Sequence, residues 1–200
     1  KGKVINDQQN FDINNLKPIL GNLMNNIEIE KIDFTSLNTF SFNINKKFKL
    51  NDLRIETKLN IKNLEIVNTN LNLKNFLPNY NKQVKFENHK IQVELIKDRL
   101  DIKGEGGVYL RDKLDQIFYH IVNKDGEIIF DKKFNIKNNP LVINFLDYEK
   151  KDKKSSDILL KGVYNKNKEL KFQTISLKEK NNKILIKNLL LNKNFKVKDL

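Results

Sequence analysis

Cysteine, tryptophan and alanine are missing from this chain, and proline and methionine are scarce. Without cysteine the protein has no disulfide, no thiolate metal ligand and no cysteine nucleophile. The longest apolar runs are three or four residues. An α-helix needs roughly 20 apolar residues to span a bilayer. The visible sequence therefore contains neither a membrane-spanning helix nor the apolar centre of a signal peptide.

Arginine is also scarce, although the chain carries a formal net charge of +13. Arg54, Arg99 and Arg111 are the only arginines, so lysine supplies nearly all of the 38 basic residues. Arginine is the usual side chain for bidentate recognition of phosphates and bases. We therefore predict no nucleic-acid partner. The lysines are interpreted as a solvated face that discourages edge-to-edge aggregation, with proximity to anionic lipid headgroups as a second interpretation.

Apolar and polar residues alternate along most of the chain, for example in Ile55–Ile61 and Ile91–Leu95. A period of two puts successive side chains on opposite faces of a strand, so each stretch predicts a strand with one apolar face. The alternation begins at Ile27. Its phase slips at Asn51–Asp52 and at Lys62–Asn63 predict bulges that keep the same face inward.

Short polar turns separate the strands in the C-terminal half. Asp125–Gly126 lies between the predicted strands Ile117–Val122 and Glu127–Ile136, which is a strong hairpin signal. Connections this short require antiparallel neighbours, so the sequence predicts an up-and-down meander. Leu141–Tyr148 is predicted as a further strand, and the charged stretch Glu149–Asp157 as a solvated loop.

Residues 14–24 hold the one predicted helix, because leucine and isoleucine recur there at helical spacing. We divide the chain into a lead-in with this short helix, residues 1–26, and a β-rich segment, residues 27–200.

Residues suited to catalysis or metal binding are few. His89 lies in a polar stretch that predicts a turn, and His120 alternates with Tyr119 and Ile121, so it is expected to point to the polar side. The glycine cluster Lys103–Gly107 is not followed by a helical pattern, which argues against a phosphate-binding loop. We predict no enzymatic activity, no metal and no cofactor.

The apolar face is the remaining functional feature. About ten strands, each with three or four large apolar side chains, would expose far more than the few hundred Å² that monomers usually leave open. The sheet must therefore close around a core or fold into a trough with an apolar occupant. A β-sandwich that recognises a glycan or a protein partner is the alternative to the trough.

Three stretches carry a resemblance to a known family. The strand repeats of the AsmA-like superfamily of bridge-like lipid-transfer proteins resemble three stretches of this chain: Ile55–Ile66, Leu100–Leu110 and Ile158–Tyr164. In the last two stretches, a glycine lies within or near the end of an alternating strand. The closing stretch Ile184–Leu191 is similar as well. The likeness covers residues 27–200.

This resemblance implies an all-β fold, a long and strongly curved antiparallel meander sheet that forms an open U-shaped groove. It implies a periplasmic segment of a longer chain, anchored to the bacterial inner membrane by a helix before Lys1, with more strands after Leu200. Its partners would be phospholipid acyl chains and an outer-membrane or periplasmic protein. The residues expected to face the groove and contact acyl chains are Ile55, Leu59, Ile61, Val93, Leu95, Ile102, Tyr119, Ile121, Leu160, Phe172 and Ile186.

Overall fold

The structure is a computed structural model, and it describes residues 1–8, 28–67, 83–110, 112–143, 147–150, 154–165, 169–194 and 196–199. Thirteen β-strands are found in these ranges, and none of the described residues is helical. The strands are β1 (Gly2–Gln8), β2 (Glu28–Ile44), β3 (Leu50–Val67), β4 (Gln83–Ile96), β5 (Arg99–Tyr109), β6 (Leu114–Lys124), β7 (Glu127–Ile136), β8 (Leu141–Ile143), β9 (Tyr148–Lys150), β10 (Ser156–Tyr164), β11 (Leu170–Glu179), β12 (Asn182–Leu191) and β13 (Val197–Asp199).

Eleven of these strands form one antiparallel sheet. Its spatial order follows the chain from β1 to β7 and then from β10 to β13, so nearly every strand pairs with its sequence neighbours. The strands β8 and β9 form a separate two-stranded hairpin between β7 and β10. The prediction of an all-β antiparallel meander is confirmed.

Local turn chemistry explains the hairpins. Asp125 and Gly126 both have positive φ, 52° and 77°. A two-residue turn with positive φ at both positions matches the twist of the flanking strands, which is why Asp-Gly is favoured there. The strand β7 begins and ends where the sequence pattern predicted.

Both predicted phase slips in β3 are irregularities of its pairing with β2. Phe34 pairs with Ile61 while Asp33 pairs with Asn63, so Lys62 is the extra residue of a bulge. The second irregularity lies near Asp52, whose φ is 53°. Each bulge restores the phase, so the apolar residues on either side of it share one face.

Three features differ from the sequence-based expectations or lie beyond them. The strand β1 precedes the predicted start of the alternation and pairs with β2. Leu141–Tyr148 is not one long strand, because Leu141–Ile143 and Tyr148–Lys150 are separate strands that pair with each other as β8 and β9. Lys150 was assigned to the solvated loop but is only 1% exposed. The predicted helix at 14–24 lies outside the described residues.

Candidate functional site

The pairing register divides the large sheet into two faces, because residues directly opposite one another in antiparallel strands point the same way. Val93, Ile102, Ile121 and Phe130 oppose one another in turn across β4, β5, β6 and β7. We call the face that carries this row the apolar face. The opposite side, which carries most of the charged residues of these strands, is the polar face.

All eleven residues predicted to contact acyl chains lie on the apolar face. Ile61 is buried at 4% exposure, and the other ten are half-buried. By strand, they are Ile55, Leu59 and Ile61 on β3, Val93 and Leu95 on β4, Ile102 on β5, Tyr119 and Ile121 on β6, Leu160 on β10, Phe172 on β11 and Ile186 on β12.

One end of the apolar face is covered by the β8–β9 hairpin. Leu141 of the hairpin is buried in a cluster with Val108, Ile136 and Leu177 of the large sheet. Towards the opposite ends of the strands, the residues of the apolar face are half-buried or exposed, and Ile44 is 58% exposed. The apolar face is therefore a core at one end and an accessible surface at the other.

A buried polar network holds the hairpin in place. The carboxylate of Asp115 accepts hydrogen bonds from the backbone N–H groups of Lys137 and Asn138, each at 2.8 Å, and from the Asn139 side-chain amide at 2.7 Å. The buried Lys150 ammonium donates to the carbonyl oxygens of Asn139 at 2.8 Å and Lys137 at 3.1 Å. These bonds satisfy polar groups that would otherwise be costly to bury.

A second contact fastens the hairpin to β11. The Tyr148 hydroxyl donates to the Glu179 carboxylate at 2.7 Å, and Lys154 lies 3.4 Å from the same carboxylate. The hydrogen bond from Tyr148 is the main reason that the pKa of Glu179 lies below its ordinary value. Glu179 therefore stabilises the folded protein above about pH 4.5, its unfolded pKa, and this contribution is lost as the pH falls through the lower folded pKa.

Glycines on the apolar face lie beneath aromatic rings of the neighbouring strand. Gly104 is directly opposite Tyr119, and Gly162 is directly opposite Phe130. A β-carbon at either glycine would collide with the ring that covers it. Close ring-over-glycine pairs of this kind let a sheet bend while the apolar surface stays continuous.

A polar cluster interrupts the apolar face near the middle of the sheet. We define it as His89 on β4, Tyr119 on β6 and Lys132 on β7. The His89 Nε2 lies 3.2 Å from the Tyr119 hydroxyl, and the two rings stack at 5.5 Å. Lys132 is directly opposite Tyr119 in the β6–β7 pairing, and its Nζ lies 5.7 Å from the centroid of the Phe130 ring.

The expectation that His89 lies in a turn is wrong. The residue is in β4, is only 2% exposed and points to the apolar face, beside a bulge at Asn88 where φ is 49°. Bulges re-aim side chains, which explains why the polar residues around His89 did not reveal its position. His120 lies on the polar face as predicted, with Nε2 2.9 Å from the Asp101 carboxylate.

Burial shifts the pKa values of all three residues of the polar cluster towards their neutral forms. It lowers the pKa of His89, an effect that the Gly107 backbone and Glu105 partly offset. It also lowers the pKa of Lys132 and raises the pKa of Tyr119 to about 12. Desolvation disfavours the charged form of each side chain and is the largest cause of all three shifts.

Tyr119 provides a test of this burial. In an alkaline titration of tyrosinate absorbance, we expect the Tyr119→Phe variant to lose the component that titrates near pH 12, well above the ordinary 10.0. The raised pKa stabilises the folded protein fully below about pH 10, and this contribution is lost as the pH rises through about 12. A difference spectrum that titrates at the ordinary value would show that Tyr119 is solvated.

The polar face carries cross-strand ion pairs and a shallow depression. Lys161 pairs with Asp131 at 2.7 Å. Asp131, Lys90, Lys103 and Phe118 line a depression of about 480 Å³. Phe118 is 41% exposed there. The polar face is thus not uniformly polar, and this depression is its clearest candidate for contacts with another molecule.

Within the described ranges, no group of three or more histidine, aspartate or glutamate side chains is arranged to hold a metal ion. In the same part of the chain, no helix is long and apolar enough to cross a membrane. No family model, no curated protein and no solved structure matches this chain.

Proposed function

We propose that this chain is a non-enzymatic segment of a membrane-anchored periplasmic protein whose apolar β-face conducts phospholipids between the inner and outer membranes. The supporting observation is the single, predominantly apolar face that carries all eleven predicted residues, most of them only half-buried. Eleven strands at a spacing of about 4.8 Å make this face roughly 50 Å wide.

In this proposal the sheet is curved into an open U-shaped groove with the apolar face inside. The bulges in β3 and β4, the register shift between β10 and β11, and the ring-covered glycines support curvature, because these devices bend sheets without breaking the face. Acyl chains lie along the half-buried residues, while headgroups reach the water at the rim. A helix outside this sequence supplies the inner-membrane anchor, and an outer-membrane or periplasmic protein receives the lipid.

An occupant of the apolar face is expected because exposing this face to water costs free energy. Apolar surface contributes about 25 cal/mol per Å² when it is removed from water. The hairpin residue Leu141 packs with Val108 and Ile136 at one end of the face. Towards the other end, Ile55, Leu95 and Leu100 are only half-buried. An acyl chain that slides along the remaining surface removes it from water without a deep, specific pocket.

The test is native mass spectrometry of the protein after extraction from membranes. We expect co-purifying phospholipid, with organic extraction and phosphate analysis confirming its identity. A folded monomer free of lipid would contradict the proposal. Specific binding of a soluble glycan that is lost in Phe118→Ser would favour the second candidate, a binding module that uses the depression on the polar face.

A further inference from the structure

The polar cluster is an unexpected feature of a surface proposed to conduct acyl chains. Along its row on the apolar face, Lys132 is flanked by Gly104 and Tyr119 on one side and by Leu160 and Ile175 on the other. None of these neighbours carries a negative charge. The ammonium group of Lys132 therefore lies in apolar surroundings, where an unpaired cation is costly.

Nearby acidic residues do not neutralise Lys132. Asp131 and Asp157 lie on the polar face, where they pair with Lys161 and Lys133. Asp115 and Glu179 lie at the covered end of the apolar face, where they hold the hairpin. Among the described residues, the contact made by the Lys132 ammonium is with the Phe130 ring, and it forms no ion pair.

Tyr119 adds a hydrogen-bond donor beside this cation. Directly opposite residues in antiparallel strands have β-carbons about 5 Å apart, so one small group can contact both side chains. When the neutral His89 ring carries its proton on Nε2, it donates to the Tyr119 oxygen. In that tautomer the Tyr119 O–H can donate to a third group, whereas with the proton on Nδ1 the Tyr119 O–H donates to His89 Nε2.

From this geometry we infer that Lys132 and Tyr119 bind the oxyanion of an acyl lipid, with His89 orienting the Tyr119 hydroxyl. The inference rests on the proposed function, because the acyl chain of this ligand lies on the same apolar face. From Lys132 to Leu59 the row crosses four strand spacings of about 4.8 Å each, roughly 19 Å of apolar surface interrupted only by Tyr119. A carboxylate and a phosphodiester are the two oxyanions that suit one ammonium and one hydroxyl.

The test compares three lipids on the full chain freed of bound lipid: oleate, lysophosphatidylglycerol and the uncharged methyl oleate. We expect the wild type to bind at least one anionic lipid roughly tenfold or more tightly than methyl oleate, since charge-assisted hydrogen bonds form only with the anions. The anion that binds more tightly identifies the carboxylate or the phosphodiester as the preferred group.

Matched variants locate the site. Lys132→Met should lose the preference for the anionic lipid and keep its affinity for methyl oleate. Lys132→Arg should retain much of the preference for the anionic lipid, because the positive charge remains. Lys133→Met is the control, because Lys133 is the next residue on the same strand but lies on the polar face. Tyr119→Phe should lower the preference in part. Circular dichroism of each variant checks that the sheet is intact.

The outcomes separate this inference from the proposed function. If the wild type binds methyl oleate and the anions equally, or if Lys132→Met and Lys133→Met behave alike, the oxyanion site is wrong while acyl-chain binding stands. If no lipid binds, methyl oleate included, both the site and the proposed function are wrong.

Discussion

Replacing Ile186 with aspartate should weaken phospholipid binding by roughly tenfold or more, whereas replacing Leu185 should leave it nearly unchanged. The two residues are adjacent on β12 but lie on opposite faces, with Ile186 on the apolar face opposite Ile175 and Leu185 on the polar face opposite Ser176. An unpaired carboxylate on the apolar face loses its hydration when a lipid covers it, which costs several kcal/mol. Each 1.4 kcal/mol corresponds to a factor of about ten in affinity.

Ile186 is distant from Lys132. Leu160 lies directly opposite Lys132. Ile121 lies opposite Phe130, and the Lys132 ammonium group lies over the Phe130 ring. An aspartate at either position would form an ion pair with Lys132 and obscure the result. Ile186 is three strand spacings away, about 14 Å.

The measurement is the amount of phospholipid that co-purifies with each variant, read by native mass spectrometry. Thermal unfolding of both variants provides the control for folding. Equal lipid content in Ile186→Asp and Leu185→Asp, with both variants folded, would contradict the assignment of lipid binding to the apolar face.

Replacing Asp115 with alanine should lower the free energy of unfolding by about 3 kcal/mol. The substitution removes the acceptor for the N–H groups of Lys137 and Asn138 and for the Asn139 side chain, and each buried polar group left without a partner costs about 1–3 kcal/mol. It also frees the connection that places Leu141 in the core cluster. Urea denaturation followed by circular dichroism measures the change.

Asp112 offers the matched control for this prediction. It lies three residues earlier, just before β6, but its side chain is exposed. Asp112→Ala should change the free energy of unfolding by no more than about 0.5 kcal/mol. A similar small change in Asp115→Ala would show that the network around Asp115 does not hold the hairpin on the sheet.

Some residues of the candidate site were recognisable from the sequence. The alternation in Ile91–Leu95 and around Tyr119 and Ile121 predicted their common face, because a strand has a period of two whatever its neighbours are. Lys132 was missed, although a signal was available. In Phe130–Phe134 the lysine at 132 occupies the phase of the two phenylalanines, where an apolar residue is expected.

The positions of other residues could not be predicted from the sequence pattern. His89 follows a bulged residue, Asn88, so its direction depends on the pairing of β4 with β5 and not on local polarity. Lys150 belongs to a lysine-rich stretch, yet it is buried because the carbonyls of Lys137 and Asn139 converge on its ammonium group. A strongly charged sequence does not disclose such convergent acceptors.

The sequence by itself determined most of the strands, with β1 and the β8–β9 hairpin as exceptions, together with their antiparallel meander order and the separation of an apolar from a polar face. Those properties depend on side-chain alternation and on short turns such as Asp125–Gly126, which are local. Only the tertiary structure decided that the β8–β9 hairpin covers one end of the apolar face and that His89, Tyr119 and Lys132 meet at its middle. These contacts join residues that are far apart in the chain, and they depend on the register between strands, which the pairing of the whole sheet determines.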